Sequence, residues 1–599
     1  MTSLMNRQDL EFLLFDMLDA DALCERERFA EHNRDTFLAV LDTAEKIATD
    51  KFAPHAHEAD EHEPTFDGQR VNMIPQVKEA VRAFADAGFL AAGHDYEWGG
   101  MQLPVTVAQA CLTLFRSANT PTSAYLFLTS ANANLIRAFG SDAQKQRFLP
   151  NLLSGRWLGT MALTEPHAGS SVPDARTSAT PVGDGTYRIR GNKIFISGGD
   201  HELSENIVHL VLARLPGAPA GAGGLSLFLV PKFRVNEDGT LGSRNDVALA
   251  GLIHKMGYRG TTSTMLAFGE NDDCIGELVG EPNRGLNCMF HMMNEARIGV
   301  GLGAAVLGYT GYRHALEYAR TRTQGRPANA KDPSSPQIPI IEHADVRRML
   351  LKQKAYVEGG LALCMTGARL ADDANTAPDA AQRQEAAMLL PLLTPIIKSW
   401  PAQFCLEANS LAIQVLGGYG YTREYPVERL YRDNRLNPLH EGTHGIQGMD
   451  LLGRKVGMDD GAAMTVLGRH IAQAVAAAGA HTDERLVSAA SALQAEWNAL
   501  TETTRTLLAA VRQDRTAGLA NASIYLETFG RTVVAWIWLR QALAATAAHQ
   551  AGRCSADFLA GKLAACRWFF DCELPQNAAQ HALLRRLDDN ALSMQEEWF

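Results

Sequence analysis

The sequence predicts a multi-domain α+β fold in which a helical N-terminal region leads into an all-β middle domain, a helical bundle and a further helical C-terminal domain. Three observations carry this. The chain has 599 residues, well beyond what one hydrophobic core supports. Apolar residues recur at three- and four-residue steps, give way in residues 159–282 to short β-branched and aromatic runs, and then resume helical spacing. Hydrophobic residues at 46% and charged residues at 21% are globular composition, which excludes a disordered or collagen-like chain.

The elements follow in order. Residues 1–35 read as an acidic helical extension; MTSLMNRQDLEFLLFDMLDAD has no basic stretch leading into a clean apolar run, so no export or transit signal is expected. Residues 36–158 form a helical domain, as the spacing in TFLAVLDTAEKIATDKFA and MIPQVKEAVRAFADAGFLA indicates. Residues 159–282 form the β domain, from runs such as TYRIRGNKIFIS, NIVHLVLARL, LSLFLVPKF and STMLAFGE, with GAPAGAGG as a loop between two of them. Residues 283–455 return to three long helical stretches. The Pro- and Ser-rich segment 326–341 among them is either a surface excursion or a cover over a site or interface. Residues 456–599 are Ala-rich and periodic, a helical domain without evident chemistry. The longest apolar run, Ala386–Ile397, is broken by Pro391 and Pro395 and falls short of the roughly 20 residues a membrane span needs.

Lys plus Arg number 56 against 67 Asp plus Glu, a net charge of −11, so no basic field exists to recruit nucleic acid. Nine cysteines are scattered without any Cys-x-x-Cys pair, which is the usage of a reducing compartment. A soluble, cytoplasmic protein is the expectation.

Several motifs invite chemistry. Gly299–Ala304 matches GxGxxA, but MFHMMNEARI before it is helical, so small residues permitting close helix approach are the better reading. His440-Glu441-Gly442-Thr443-His444 matches HExxH, yet Pro438 and Gly442 disfavour the continuous helix that a zinc site requires, and Gln447 precedes the Asp450 that a third-ligand position would use. His55, His57 and His62 lack a helical ligand pair. No metal is expected. Glu441 instead stands on a Gly-containing loop after a helix ending at Gly417-Gly418; held among apolar groups its pKa would rise and it could serve as a base, the alternative being an exposed loop carboxylate. The stretch Thr164–Ser171 offers hydroxyls and, at Gly169, close backbone approach suited to a polar heterocycle or diphosphate. Lys193–Gly199 offers the aromatic face of Phe195 and the hydroxyl of Ser197.

MALTEPHAGSS, NKIFISGG, HKMGYRGTT, YARTRTQGR, QVLGGYGYTREYPVERLYRD and HEGTHGIQ, in this order across residues 36–455, resemble the acyl-CoA dehydrogenase family of flavoproteins. The added helical regions at both ends resemble its long bacterial branch, which includes 3-methylmercaptopropionyl-CoA and related fatty acyl-CoA dehydrogenases. The resemblance implies an acyl-CoA dehydrogenase-like fold whose middle domain is a β-barrel, with FAD between the β domain and the bundle. It implies Met161, Leu163, Thr164, Gly169 and Ser170 around the ring and ribityl chain, with Phe195 and Ser197 packing at the flavin. It assigns Arg322 to the FAD diphosphate across a subunit interface, Gln324, Gln414, Gly417 and Gly418 to the same shell, and Thr443 and Gly445 to the adenosine diphosphate portion. Ser170, Asn294, Arg297 and Gly442 fall on the substrate side, Arg297 being equally suited to a structural ion pair. Three positions depart from the family pattern: Gly325 stands where an aromatic is frequent, Gly445 replaces a polar side chain, and Phe195 replaces tryptophan.

The reaction implied is α,β-dehydrogenation of an acyl-CoA thioester, with Glu441 removing the α-proton, the β-hydrogen passing as hydride to flavin N5, and electrons leaving to an electron-transfer flavoprotein. A homodimer is expected. The alternatives are an acyl-CoA oxidase or flavin monooxygenase on the same fold, a non-catalytic acyl-CoA- or flavin-binding scaffold, and an HExxH zinc hydrolase.

Overall fold

The computed structural model describes residues 4–332 and 334–599, with backbone alone for residues 290–295; the side chain of Asn294 therefore lies outside the described residues. The chain divides into two compact units, one comprising Leu38–Pro104 and Leu114–Ala296, the other Met1–Phe37, Val105–Thr113 and Arg297–Phe599.

The first unit is built on an eight-stranded sheet. The strand Trp157–Ala162 pairs in parallel with Asn206–Arg214, which pairs antiparallel with Leu225–Pro231 across the predicted Gly217–Gly224 connection. Both are buried on the two faces and read as continuous apolar runs rather than alternating ones. The long strand Thr186–Ser197 bonds Ile275–Val279 at its start and Ser263–Phe268 along its later half, so one strand serves two directions of the sheet and bends it. The bend falls at Gly191, where a Cβ would meet the Thr177 hydroxyl at 2.4 Å. Helical residues seat the sheet from one side. Gly159 leaves room for Asn132, whose amide donates to Thr160 O at 3.0 Å and Val208 O at 2.8 Å, while Gly159 N–H donates to Thr129 Oγ1 at 3.1 Å. The helix Asp142–Leu153 begins with a capping box between Ser141 and Gln144. Within the region read as purely helical the structure adds a small hairpin, Thr65–Phe66 with Val71–Asn72, turned by Asp67 accepting from the N–H groups of Gln69 and Arg70.

The second unit is helical. Gly285–Thr321, Ala344–Thr376 and Ala380–Leu416 are its long bundle helices, although the first begins in the other unit. The glycine string is helical, and a Cβ at Gly301 would lie 2.0 Å from Ile397 O, which is the close helix approach its small residues suggested. The C-terminal helices Ala462–Gly479, Glu484–Gln513 and Ala522–Gln550 pack beside the bundle, where Trp538 Nε1 donates to Ala355 O at 3.0 Å. The region without evident chemistry carries a buried ionic cluster. Lys562 Nζ donates to Asp9 Oδ1 at 2.5 Å, Glu358 Oε2 at 2.9 Å and Gln541 Oε1 at 3.0 Å, and Tyr309 Oη donates to Asp9 Oδ2 at 3.1 Å. N-terminal extension, bundle and C-terminal domain thus meet at one ammonium. Among the described residues no helix is long and apolar enough to cross a membrane.

Candidate active site

Glu441 lies on a turn fixed from several directions. Before it, Asn409, Asn434 and Asn437 form a buried relay: Asn409 Nδ2 donates to Leu307 O at 2.9 Å, Asn434 Nδ2 to Asn409 Oδ1 at 2.7 Å and to Ala304 O at 3.1 Å, and Asn437 Nδ2 to Asn434 Oδ1 at 2.8 Å. After it, Gln447 Nε2 donates to Glu441 O at 2.9 Å, and Thr443 caps the helix His444–Gly453 by accepting from Ile446 N–H. Between these anchors Glu441 has φ 55 and Gly442 φ 87. A glutamate in the left-handed region costs roughly 1–3 kcal/mol and persists where the surroundings over-determine it.

Two cations face this carboxylate. Lys398, on the helix Ala380–Leu416, is 0% exposed and donates to Gly442 O at 2.7 Å. Arg297 is also buried and pairs with Asp450 at 3.0 Å, so the structural ion pair is the observed arrangement. Burial raises the Glu441 carboxyl above its ordinary range, while Arg297 and Lys398 pull it back. Burial likewise brings the Lys398 ammonium down to about 7, with Arg297 adding to the fall and Glu441 opposing it. Among the described residues no donor reaches the Glu441 carboxylate and no acceptor takes its backbone N–H. A carboxylate with raised basicity, no hydrogen-bond partner and an adjacent unpaired N–H can accept a proton while the N–H stabilises developing negative charge. Lys398 carried no signal beyond its being a lone charge inside an apolar helix.

The HExxH letters do not make a helix. His440 and Glu441 lie in the turn, His444 opens the next helix, His440 Nδ1 sits 3.2 Å from Leu436 O, and His444 Nε2 faces Glu527 at 3.4 Å. Among the described residues no three His, Cys, Asp or Glu side chains gather as metal ligands.

Elsewhere in the same unit Arg322, Gln324, Gly417 and Gly418 line one cavity of about 460 Å³ together with Tyr318 and Tyr419. The Arg322 guanidinium lies 5.8 Å from the Tyr419 ring centroid and has no carboxylate partner among the described residues. A Cβ on Gly417 or Gly418 would meet nothing within 4 Å, so the backbone there is open to a ligand. Gln414 ends the preceding helix, accepting from Gly417 N–H. Gly445 lies beside Ser523, 3.8 Å from a Cβ built there. Segment 326–341 is pinned at its base, Gln324 N–H donating to Ile338 O at 3.0 Å and Ile340 reaching the cavity wall.

The remaining predicted residues belong to the β-sheet unit. Met161 lies buried one residue before the end of the strand Trp157–Ala162, Leu163 and Thr164 follow that strand, and Ile194 N–H donates to Thr164 O at 2.9 Å, setting Phe195 and Ser197 next to them. Phe195 has φ 60 and is 60% exposed. The strained backbone thus presents an uncovered aromatic ring that is accessible to a ligand. Gly169 and Ser170 lie exposed in the loop, with nothing within 4 Å of a Cβ on Gly169. What fixes this loop was not read from the sequence: Glu165 accepts from Lys193 Nζ at 2.8 Å, Thr177 Oγ1 at 2.6 Å and the N–H groups of Arg176 and Thr177, and Lys193 also donates to Leu163 O. Burial alone would raise the Glu165 carboxyl, but Lys193 and these donors hold it at about 2. A carboxyl depressed below its unfolded value stabilises the fold above pH 4.5, and that contribution disappears as pH falls towards 2. Lys193→Met is expected to cost about 3–5 kcal/mol at pH 7 by stranding a buried carboxylate. The measurement is an earlier urea transition at pH 7, with the gap to wild type narrowing near pH 3.

Four family descriptions match the chain: acyl-CoA dehydrogenase N-terminal domain over residues 34–156, middle domain over 160–270, C-terminal domain over 283–456, and an acetyl-CoA dehydrogenase C-terminal-like region over 467–595. The chain is 38% identical over 574 residues to 3-methylmercaptopropionyl-CoA dehydrogenase of Ruegeria pomeroyi, covering 95% of each. It is 34% identical to the broad-specificity linear acyl-CoA dehydrogenase FadE5 of Mycobacterium tuberculosis, covering 99% of each. Among solved structures, Caenorhabditis elegans ACDH-11 in complex with C11-CoA superposes with a TM-score of 0.77 at 20% identity, over 98% of this chain and 93% of that one.

Proposed function

Because the chain belongs to the acyl-CoA dehydrogenase family of oxidoreductases, we propose that it oxidises the Cα–Cβ bond of an acyl-CoA thioester to the trans-2-enoyl-CoA with Glu441 as the base. The observation that carries this reading is the state of Glu441: raised in pKa by burial, without a hydrogen-bond donor among the described residues, and fixed on a turn whose own N–H is uncommitted. The α-proton passes to the Glu441 carboxylate, and the charge that develops on the thioester oxygen is met by the Glu441 N–H.

FAD suits the residues present. Arg322 offers a guanidinium fork, without a carboxylate partner among the described residues, for diphosphate oxygens, and Gly417 and Gly418 offer bare backbone beside it. In the β-sheet unit, Phe195 offers an exposed aromatic face for a ring system, and Thr164 and Ser197 offer hydroxyls. When bound, FAD supplies the acceptor for the β-hydrogen and its electron pair. Electron-transfer flavoprotein as the next acceptor, a cytoplasmic location and a homodimeric state belong to the same proposal and rest on family membership.

Lys398 acts as a positioning residue, holding the Gly442 carbonyl and favouring ionised Glu441. A nearby cation lowers a carboxyl pKa. Lys398→Met is therefore expected to move the acid limb of kcat to higher pH by about one unit, with little difference above pH 7, where the wild-type ammonium has itself lost its proton. An unchanged acid limb would remove Lys398 from this role.

The test of the reaction is anaerobic. Purified FAD-loaded protein is mixed with butyryl-, octanoyl- and 3-methylmercaptopropionyl-CoA, the last chosen because a relative is named for it. Bleaching of the flavin band is expected with at least one of them; a flavin spectrum indifferent to the whole panel rejects the proposal. Rapid oxygen consumption by the reduced protein would instead assign an oxidase.

A further inference from the structure

A second cavity, of about 360 Å³, lies in the helical unit where the N-terminal extension, the bundle and the C-terminal domain meet. Its polar lining presents the cations Arg369 and Arg540 and the Trp536 indole beside Thr366, His470 and Gln473. Arg540 has no carboxylate partner among the described residues, and its guanidinium lies 5.1 Å from the Trp536 ring centroid. Trp536 is 3% exposed and its indole N–H is buried without an acceptor. The one carboxylate in the lining, Asp373, is already shared by Arg26 at 2.5 Å and Arg369 at 3.0 Å. The neighbouring Asp372 accepts from Val105 N–H and from the N–H and hydroxyl of Thr106. Burial and the adjacent Arg369 bring the Arg540 guanidinium down to about 10, as expected of a cation removed from water without a counter-charge. The apolar part of the wall includes Leu18, Leu370, Leu389 and Leu543.

We propose that this cavity binds a free monocarboxylate with a short hydrocarbon chain, the carboxylate on the Arg540 guanidinium and the Trp536 indole N–H and the chain against the leucines. A guanidinium fork matches carboxylate oxygens, and the leucine wall favours an anion with an apolar body over a fully hydrated inorganic one. The volume falls at the lower end of small-ligand sites and leaves no room for a whole coenzyme A thioester. The site is independent of Glu441 and of the reaction proposed above.

Isothermal titration of the full-length FAD-loaded protein with sodium hexanoate, methyl hexanoate and sodium phosphate tests it. Hexanoate is expected to bind, the uncharged ester to give no heat, and phosphate to bind at least tenfold more weakly. Arg540→Gln should weaken hexanoate tenfold or more and Trp536→Phe by a smaller factor, because only one neutral donor is lost. Arg540→Lys keeps the charge without the fork and serves if the glutamine variant does not fold; it too should weaken hexanoate. Hexanoate binding with equal affinity to wild type and all variants, no binding at all, or phosphate binding as strongly as hexanoate would each overturn the assignment.

Discussion

Glu441→Gln is expected to keep its FAD and lose flavin bleaching by acyl-CoA, with turnover falling by a factor of about 10³ or more. Glutamine preserves the length of the side chain and leaves intact the asparagine relay, the Gln447 bond to the Glu441 carbonyl and the Thr443 cap, so the turn should survive. What disappears is the basic oxygen, and general-base contributions alone are worth roughly 10²–10⁴. The substitution also leaves Arg297 and Lys398 facing each other without the carboxylate between them, which disfavours the Lys398 ammonium further. An absorption spectrum gives cofactor content and an anaerobic stopped-flow trace gives the reductive step. Bleaching at the wild-type rate would move the base to another residue.

The second large effect concerns stability. Lys562→Met is expected to cost at least about 3–5 kcal/mol, because Asp9 and Glu358 are both buried and lose a common counter-ion. Burial already pushes Asp9 up, with Lys562 opposing and Glu358 adding to it, whereas Lys354 and Lys562 together outweigh burial at Glu358 and hold it low. Without Lys562 the cheapest response is release of the N-terminal extension, which takes Asp9 back to water. Limited proteolysis should then cut within residues 1–35 at enzyme levels that leave wild type intact. Adding Asp9→Asn to the variant should restore part of the loss, since Asp9 is the carboxylate left without its cation while Glu358 keeps Lys354; no restoration would indicate that packing, not charge, is at stake.

The architecture was legible because periodicity is a local property. Helical steps, the switch to β-branched runs and the return to helices can be read without knowing what touches what, and the glycine string at 299–304 could be placed on a helix from its upstream neighbours alone. The hairpin at 65–72 escaped because two-residue strands carry no period; only the Asp-Gly turn signals it. The surroundings of the site were less legible. Glu441 stands out by its loop, but Lys398 precedes the carbonyl it holds by 44 residues, and its role depends on a packing angle that no spacing encodes. Glu165 and Lys193 sit inside motifs that were noticed for other residues, and their pairing is set by the register of the sheet. Arg322 and Gly417 are likewise distant in sequence, and the helical fold brings them to one cavity.

The buried Lys562 cluster also bears on the order in which the chain can assemble. The β-sheet unit is complete once residue 296 has been synthesised, whereas the helical unit draws on residues up to Phe37, on Val105–Thr113 and on Arg297–Phe599. Asp9 precedes by 553 residues the Lys562 ammonium that serves as its counter-charge. Until the helix Ala556–Trp568 is made, Asp9 lacks this ammonium and Phe12 lacks the Phe558 ring 5.2 Å away, although the contacts of Asp9 with Tyr309 and of Arg26 with Asp373 can already form. The helix bearing Lys562 therefore does more than cover the bundle: it completes the berth of a segment made 553 residues earlier.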